Sequence, residues 1–372
     1  MRRLRKGRVT PLRIALLLAF GLVAWRGYER FADNPAALPD PTDASRANRE
    51  YFVGFAMGSP VTITIDADDP AKAKIAARAA LEELERLDRM LSDWKETSDL
   101  TKFNRSSELT QQVPESFARC LERALHVSAQ TDGLFDPTVA PLVQLWRDAR
   151  KTQALPDADT LASARGKTGF TRVQVAGSEV RREDASISID FGGIGKGFGA
   201  IAALETLRAN GCPRAMVAVA GDLAIGEPPR GEPGWKVDIE SALNPERIVV
   251  ARCAVSTSGA TEQFIEIDGV RYAHIVDPRT GLGAINAARA TVIGPLDAAV
   301  DALGTALALT ENDAQAAAIL ARFPEYGARI ERGSNEAAAG GEVASNPSTK
   351  LETNPVTKNA STTVTYHGAW KR

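Results

Sequence analysis

The sequence predicts an α+β fold in which a mixed, largely antiparallel sheet is flanked by helices. Short segments rich in β-branched residues recur along the chain, and some alternate with the period of two that half-buried strands show. Segments with helical spacing lie between some of them, without the strict strand–helix alternation of a parallel sheet. The 372 residues, 44% hydrophobic and 25% charged, have the composition of an ordinary globular protein.

A β-hairpin and two long helices are expected first. Residues 52–66 contain two strand-like runs around a Met-Gly-Ser-Pro turn, and the second run alternates as a half-buried strand should. Residues 70–91 place apolar side chains near helical spacing with charged ones between them, which predicts an amphipathic helix. Residues 114–130 predict a second helix, because a proline suits the first turn.

Further strands and helices are expected in the second half of the chain. The expected strands are 186–190, 215–220, 235–239, 248–256, 264–267 and 288–293. The expected helices are 196–209, 296–309 and 311–322. Before them, 92–104 and 131–139 are predicted to be loops.

Composition excludes several classes of protein. Lysine and arginine number 45 against 47 acidic residues, so the formal net charge of -2 offers no electrostatic footprint for nucleic acid. Cys120, Cys212 and Cys253 are widely spaced and form no CxxC pair, which argues against a zinc site and a disulfide framework. The chain has 3 histidines, too few for a histidine-rich metal cage.

Residues 1–30 have the layout of an export signal. Basic residues dominate the first eight positions, and 14–25 is an unbroken small or apolar run. No clear cleavage site follows, so an uncleaved signal anchor is favoured, with its basic end cytoplasmic and the remaining chain outside the cytoplasm. A cleaved signal peptide is the alternative. Residues 31–48 are then a linker, 49–332 the catalytic domain, and 333–372 a disordered tail, most of which lacks large apolar side chains.

The segment DFGGIGKGFG, residues 190–199, is the densest chemical signal in the chain. Its glycines let the backbone approach a ligand closely, and the helix that follows offers N–H groups to a phosphate. The segment matches neither the P-loop nor the GxGxxG pattern. It indicates a phosphate or nucleotide site, and a glycine-rich turn required by tight packing is the alternative.

Asp301 and Thr305 form a second candidate site. They lie four residues apart on the predicted helix 296–309 and therefore share one face. A carboxylate beside a hydroxyl suits a hard cation such as Mg²⁺. The same pair is also typical of a solvated helix face, so the spacing alone leaves both interpretations open.

Three other segments carry residues suited to proton transfer or ring binding. In YAHIVDPRTG, His274 is a candidate general base and Asp277 a candidate orienting group, whereas a hydrogen-bonded turn histidine is the alternative. In DGLFDP, Phe135 lies between two carboxylates. Trp94, in the first predicted loop, is suited to stacking on a planar ring.

Taken together, these segments resemble the FAD:protein FMN transferase family, also called the ApbE family. The matching segments, from about residue 51 to 310, are MGSPVTI, LSDWKETSDLTKFN, DGLFDPTVAPLVQLW, DFGGIGKGFGAIAA, AGDLAIGEP, VSTSGATEQF, YAHIVDPRTG and VDALGTALALT. The resemblance implies one ApbE-like, T-fold-related domain that binds FAD and Mg²⁺. It implies transfer of FMN to a Thr or Ser hydroxyl of an extracytoplasmic redox protein, with release of AMP, on the periplasmic side of a bacterial inner membrane.

The resemblance also assigns roles to matching positions. It implies that Mg²⁺ is held by Asp301, Thr305 and the backbone carbonyl of Gly193. It further implies that Lys196 stabilises charge on the reacting phosphate, with His274 as first and Asp277 as second candidate for the general base. The residues implied to line the FAD site are Met57, Trp94, Leu134, Phe135, Asp136, Asp190, Lys196, His274 and Ile275.

The chain departs from the family pattern in a few places. Ile201 replaces a usual Asp, Ala220 replaces the first glycine of a GGD motif, and Gly195 replaces a common Ala. The usual lipid-bearing cysteine is absent, which agrees with a signal anchor.

Two other functions stay open: a Mg²⁺-dependent FAD pyrophosphatase, which releases FMN and AMP, and an FAD-binding protein without turnover. The expected protein partner is an acceptor with a Ser/Thr-Gly-Ala-Thr segment. The chain's own Ser-Gly-Ala-Thr at 258–261 resembles one, so self-modification at Thr261 is a further hypothesis.

Overall fold

The computed structural model describes residues 48–241, 244–259, 264–285, 287–333 and 362–370. Its strands are β1 (Arg49–Ala56), β2 (Ser59–Asp66), β3 (Thr110–Gln112), β4 (Val173–Ala176), β5 (Glu179–Arg182), β6 (Ala215–Val219), β7 (Asp222–Ile225), β8 (Trp235–Ile239), β9 (Glu246–Val250), β10 (Cys253–Ser258), β11 (Phe264–Ile267), β12 (Val270–Ala273), β13 (Arg289–Gly294), β14 (Gly327–Gly333) and β15 (Thr362–Gly368). Its α-helices are α1 (Pro70–Leu91), α2 (Asp99–Arg105), α3 (Glu115–Gln130), α4 (Ala140–Thr152), α5 (Ala158–Arg165), α6 (Gly195–Ala209), α7 (Ala299–Ala308) and α8 (Asp313–Leu320).

The largest sheet has eight strands in the order β1-β2-β6-β7-β10-β13-β14-β15. Each neighbouring pair in it is antiparallel. Three smaller antiparallel sheets, among the described residues, join β3 with β5 and β4, β8 with β9, and β11 with β12. The predicted α+β class with a largely antiparallel sheet is therefore confirmed.

Helices cover one face of the large sheet. Helix α6 packs against β6, β7 and α1, whereas α7 packs against β10 and β13. Ile63, Val217 and Ala224 on the covered face are fully buried together with Leu84 of α1. The β8–β9 ribbon packs on the opposite face around Trp235. Because α6 and α7 lie on neighbouring strands of one face, the glycine-rich start of α6 meets α7.

The first predicted elements form as expected. Strands β1 and β2 make the hairpin, in register from Arg49 opposite Asp66 to Ala56 opposite Ser59. Helix α1 spans the predicted residues, and the Asp69 carboxylate caps it by accepting from the first backbone N–H groups. The predicted loop 92–104 is wrong in part, because α2 forms there behind a serine N-cap.

Two of the predicted strands differ in the structure: one does not form, and the other is divided in two. Residues 186–190 do not pair as a strand. Instead, the Asn104 side chain donates to the Ile189 carbonyl and accepts from its N–H, each at 2.8 Å, and so satisfies the backbone as a neighbouring strand would. The run 248–256 is divided between β9 and β10, because Arg252 between them adopts a left-handed φ of 54°.

The expectation of a disordered tail over 333–372 is wrong for its last described residues. Thr362–Gly368 forms β15, which pairs with β14 along its whole length. Trp370 then packs against the apolar cluster under the β8–β9 ribbon. The sequence TTVTYHGAW has the β-branched and aromatic residues of an edge strand, a short signal that the polar composition of the preceding residues masks.

The predicted signal anchor at 1–30 lies outside the described residues, as does the predicted linker at 31–48 except for Asn48. From Asn48 onward, none of the described helices combines the length and apolarity needed to cross a bilayer.

Arg182, which is fully buried, fastens the segment that leads into the glycine-rich loop. Its guanidinium donates to the carbonyls of Ser106, Glu108 and Ile187, the last at 2.8 Å. It also lies 4.9 Å from the centre of the Phe103 ring. Three carbonyl oxygens from two separate segments of the chain therefore depend on one side chain.

Replacing Arg182 with methionine is expected to lower the free energy of unfolding by about 3 kcal/mol, because the carbonyls lose their donors in a buried place. Urea denaturation measures the change, and Arg181→Met at the exposed neighbouring position is the matched control. Equal stability of the two variants would show that water replaces the guanidinium without loss.

Candidate functional site

The glycine-rich loop and α7 meet at the residues implied to hold a metal. The Gly197 N–H donates to Asp301 Oδ2 at 3.0 Å. A side-chain carbon added to Gly193 would lie 3.1 Å from Thr305 Oγ1, so the Gly193 backbone and the Thr305 hydroxyl are close neighbours. The structure thus brings Gly193, Asp301 and Thr305 together from two elements that are about a hundred residues apart in sequence.

Asp301 is a buried carboxylate with an unused oxygen. Its side chain is 2% exposed, and Oδ1 makes no hydrogen bond to the part of the chain that the structure describes. Burial, with the nearby charge of Asp222, raises the pKa of Asp301 to about 7. A carboxylate in this setting is stabilised by a cation, so the environment is suited to binding one.

Lys196 lies between two buried carboxylates. Its Nζ is 3.1 Å from Asp222 Oδ2 and 3.9 Å from Asp301 Oδ2. The two carboxylates, Asp222 first, raise the pKa of Lys196, so the ammonium stays charged at neutral pH. Ser256 on β10 donates to Asp222 Oδ1 at 2.5 Å and so connects the cluster to the sheet.

The chain itself uses most N–H groups at the start of α6. Gly192 donates to Asp190 Oδ1 at 2.6 Å, Ile194 and Gly195 donate to the Phe191 carbonyl, and Gly197 donates to Asp301. Four of the N–H groups around this helix start are therefore already engaged within the chain. Among the described residues, the N–H groups of Gly193 and Lys196 have no acceptor. These two N–H groups can therefore donate to a phosphate oxygen without breaking a hydrogen bond within the chain.

Met57 and Phe135 pack against the glycine-rich loop from two sides. Met57 occupies the β1–β2 turn with a left-handed φ of 53°, a conformation that is uncommon for methionine. Its side chain fills the space beside Gly195 and Gly199. The Phe135 ring lies under Gly193, and its 4% exposure leaves it no open face for ring stacking. Leu134 is equally buried beside it, in the main core.

Trp94 is the exposed aromatic residue of the candidate site, at 71% exposure. The Arg147 guanidinium lies 4.0 Å from the centre of its ring, pairs with Asp93 at 2.5 Å and reaches to 3.9 Å from Asp190 Oδ2. Burial raises the pKa of Asp190 above its usual range, and the charge of Asp93 adds to the effect. A cavity of about 220 Å³ opens beside these residues, between the loop with Trp94 and helix α4.

Asp136 organises its own loop. Its Oδ1 accepts from the Thr138 N–H and hydroxyl at 2.7 and 2.6 Å, and its Oδ2 accepts from the Phe170 N–H at 3.1 Å. Both oxygens are therefore engaged within the fold. This geometry argues against direct contact between the Asp136 carboxylate and FAD. The carboxylate instead fixes the conformation of the loop that carries Phe135.

His274 follows β12 and is exposed, whereas Ile275 is partly buried against the main core. Asp277 is buried, and its two carboxylate oxygens accept from the Arg279 side chain at 2.8 to 3.2 Å. Asp277 also accepts from the Arg279 N–H at 2.9 Å. Both oxygens are occupied by Arg279 donors, so the geometry argues against Asp277 as the general base and leaves His274 as that prediction.

A family model described as the ApbE family matches residues 57–329. The chain belongs to this family. FAD:protein FMN transferases of Salmonella typhimurium and Treponema pallidum are each 32% identical to it, over 72% and 74% of this chain and over 80% and 83% of their own lengths.

Solved structures agree with this ApbE-family assignment. The apo form of the Pseudomonas stutzeri flavinyl transferase ApbE is 28% identical, with a TM-score of 0.68 over 77% of this chain and 92% of that one. A histidine-to-glycine mutant of the Vibrio cholerae flavin transferase ApbE is 25% identical, with a TM-score of 0.71 over 78% and 95% of the two chains. The resemblance inferred from the sequence motifs is thereby confirmed.

Sequence reasoning missed three residues of this ApbE-family site: Arg147, Asp222 and Ser256. Asp222 lies in the quoted AGDLAIGEP segment, so its motif was a usable signal. Ser256 likewise lies in the quoted VSTSGATEQF segment, whereas Arg147 lies just beyond DGLFDPTVAPLVQLW and gave no signal of its own. The resemblance of 258–261 to an acceptor segment stays a hypothesis, because Thr261 lies outside the described residues.

Ile201, where the ApbE family usually has Asp, is half-buried between the two largest apolar clusters. An apolar side chain suits that place, and the substitution leaves no buried polar group without a partner. At this position, α6 is therefore held by apolar packing rather than by a polar side chain.

Ala220, where the family has glycine, occupies the β6–β7 turn with a left-handed φ of 52°. Ala220→Gly is expected to raise the free energy of unfolding by up to about 1 kcal/mol, because glycine adopts this conformation without strain. Ala218→Gly, on the adjoining strand, should instead lower it. Thermal denaturation measures the stability of both variants. A lower stability of Ala220→Gly than of wild type would contradict the claim that Ala220 is strained.

Proposed function

We propose that this chain transfers FMN from FAD to a Thr or Ser hydroxyl of an acceptor protein, with Mg²⁺, and releases AMP. The observation that carries the proposal is the junction of the glycine-rich loop with α7, where Asp301, Thr305 and Gly193 meet beside the Lys196 ammonium. It combines oxygen ligands for a metal with a fixed positive charge, which is what a diphosphate substrate requires. The family's activity, FAD:protein FMN transfer, uses such a substrate.

The residues at the junction fit Mg²⁺. A carboxylate, a hydroxyl and a backbone carbonyl are the hard oxygen donors that this ion prefers, and Asp301 Oδ1 is unbonded among the described residues. The described residues contain no cluster of three or more His, Cys, Asp and Glu side chains suited to a metal. A site with one carboxylate suits Mg²⁺, which usually completes its coordination with waters and substrate phosphates. When bound, the ion neutralises charge on the diphosphate oxygens.

The protein residues supply the remaining steps. Lys196, held charged, stabilises the negative charge that develops on the phosphate oxygens during attack. The open face of Trp94, opposite Arg147, is suited to stacking on a flavin or adenine ring. His274 takes the proton from the acceptor hydroxyl, and its exposure allows another protein to approach it.

The proposed location follows from the N-terminal sequence. The basic start and the apolar run at 14–25 support a signal anchor in a bacterial inner membrane, with the catalytic domain on the periplasmic side. The acceptor is then an extracytoplasmic redox protein with a Ser/Thr-Gly-Ala-Thr segment. Fractionation of cells producing the full chain, with protease added to spheroplasts, checks both parts of this location.

Product analysis distinguishes the proposed transferase from its two alternatives. The chain is incubated with FAD and Mg²⁺, with an acceptor peptide or with the same peptide carrying alanine in place of the acceptor threonine, and AMP and FMN are separated by chromatography. Transfer predicts AMP with the threonine peptide and almost none with the alanine peptide. Equal AMP and free FMN in both reactions would indicate a pyrophosphatase, and tightly bound FAD without AMP would indicate a binding protein.

A further inference from the structure

We propose that Asp222 is a positioning residue that holds the Lys196 ammonium away from Asp301 and thereby keeps the Asp301 carboxylate available to a divalent cation. This inference rests on the proposed function, because it deepens the description of the same metal site. It concerns a residue that makes no contact with the metal in the proposed arrangement.

Asp222 is fixed at both of its oxygens. It is the first residue of β7, is 3% exposed, and points from the sheet toward the start of α6. Oδ1 accepts from the Ser256 hydroxyl at 2.5 Å, and Oδ2 lies 3.1 Å from Lys196 Nζ. Because β7 and β10 are neighbouring strands with Asp222 opposite Ser256, the backbone register itself sets the direction of this carboxylate.

The two carboxylates compete for one ammonium. Nζ is at hydrogen-bond distance from Asp222 but 3.9 Å from Asp301 Oδ2, which is too far for a hydrogen bond. Within the described residues, the ion pairs of Lys196 are with these two carboxylates. Since a buried ammonium needs a charged partner, removal of the Asp222 charge should move Lys196 onto Asp301.

A lysine paired with Asp301 would occupy the position of a cation. Asp301 is the only carboxylate in the proposed ligand set, so neutralising it with a fixed ammonium should weaken Mg²⁺ binding strongly. Lys196 therefore has two roles, and both depend on its pairing with Asp222. Lys196 keeps a positive charge beside the phosphate, and its ammonium does not hydrogen-bond to the proposed metal ligand.

Isothermal titration of Mg²⁺ into the full-length chain tests the proposal without FAD or acceptor. Asp222→Asn is expected to raise the Mg²⁺ dissociation constant by about 10- to 100-fold, the usual effect of a residue that supports a metal ligand. Asp222→Glu, which keeps the charge, should restore part of the affinity. Ser256→Ala should weaken binding less than Asp222→Asn. Ser258→Ala, on the same strand but without a bond to Asp222, should change the constant less than about twofold.

The same titration in a Lys196→Gln background separates positioning from simple charge. If Asp222 acts through Lys196, adding Asp222→Asn to Lys196→Gln should change the dissociation constant less than about twofold. A weakening as large as in the wild-type background would show that Asp222 attracts the cation directly and would overturn the proposal. Unchanged binding in the single Asp222→Asn variant, or no Mg²⁺ binding by the wild-type chain, would also overturn it.

Failure of this inference is distinguishable from failure of the proposed function. The titration measures metal binding alone, whereas AMP formation measures the reaction. Wild-type chain that binds Mg²⁺ with the predicted variant pattern but forms no AMP would uphold the positioning role and contradict the transferase. AMP formation by the wild-type chain, together with unchanged Mg²⁺ binding in Asp222→Asn, would uphold the transferase and contradict the positioning role.

Discussion

Asp301→Asn is expected to reduce Mg²⁺-dependent AMP formation from FAD by at least about 100-fold, a loss of about 3 kcal/mol of transition-state stabilisation. Asparagine keeps the size of the side chain and an oxygen for the Gly197 N–H, but removes the only carboxylate of the proposed ligand set. Lys196 retains Asp222 as a partner, so the fold should persist. Initial rates of AMP release over a range of Mg²⁺ concentrations measure the effect.

Thr305 supplies the matched control for this prediction. Thr305→Val keeps the shape and removes the hydroxyl, whereas Thr305→Ser keeps the hydroxyl and removes a methyl group. The valine variant should lose about tenfold or more in AMP formation, and the serine variant should stay within a few-fold of wild type. Wild-type rates in Asp301→Asn, or equal rates in the two Thr305 variants, would remove the metal assignment.

Gly197→Ala is expected to lower AMP formation by about 100-fold through displacement of α7. The added carbon would lie 2.8 Å from Asp301 Cβ, closer than real contacts allow. Helices α6 and α7 would therefore have to separate where Asp301, the proposed metal ligand, accepts from the Gly197 N–H. A misplacement of about 1 Å at a reacting site is enough for a loss of this size.

Gly195→Ala is the matched control on the same helix. Its added carbon would make ordinary contacts of 3.6 Å with Met57 and Phe191, and alanine is the residue that the family commonly has there. Both substitutions lie in the first turn of α6 and replace glycine with alanine, so helix propensity alone is not expected to separate them. Circular dichroism and AMP rates of the two variants decide the matter. Similar activity would mean that α6 and α7 can part without harm to the site.

The proposed metal site was the most predictable part of the chemistry. Asp301 and Thr305 share a helix face by periodicity alone, and the glycine-rich segment before α6 is visible as a local pattern. Contact between these two elements was not derivable from the residues, because it depends on which strands α6 and α7 cover. The family resemblance supplied that link, and the structure provides the hydrogen bond that realises it.

The residues that sequence reasoning missed have one physical cause in common: their positions depend on partners from other elements. Asp222 has its place in the buried cluster because β10 brings Ser256 opposite it and α6 brings Lys196 to it. Asp136, implied to line the FAD site, and Asp277, the second candidate for the general base, have oxygens that accept largely from residues two positions along the chain, Thr138 and Arg279. The absence of a strand at 186–190 also depends on a partner that is distant in sequence, because the Asn104 side chain takes the place of a neighbouring strand.

The mass of an acceptor protein, measured after incubation with the full-length chain, FAD and Mg²⁺, tests the central claim most directly. The account predicts an increase equal to one FMN moiety, located by fragmentation on the threonine of its Ser/Thr-Gly-Ala-Thr segment, together with one AMP for each modified acceptor. An acceptor of unchanged mass in a reaction that still consumes FAD would contradict protein flavinylation as the function of this chain.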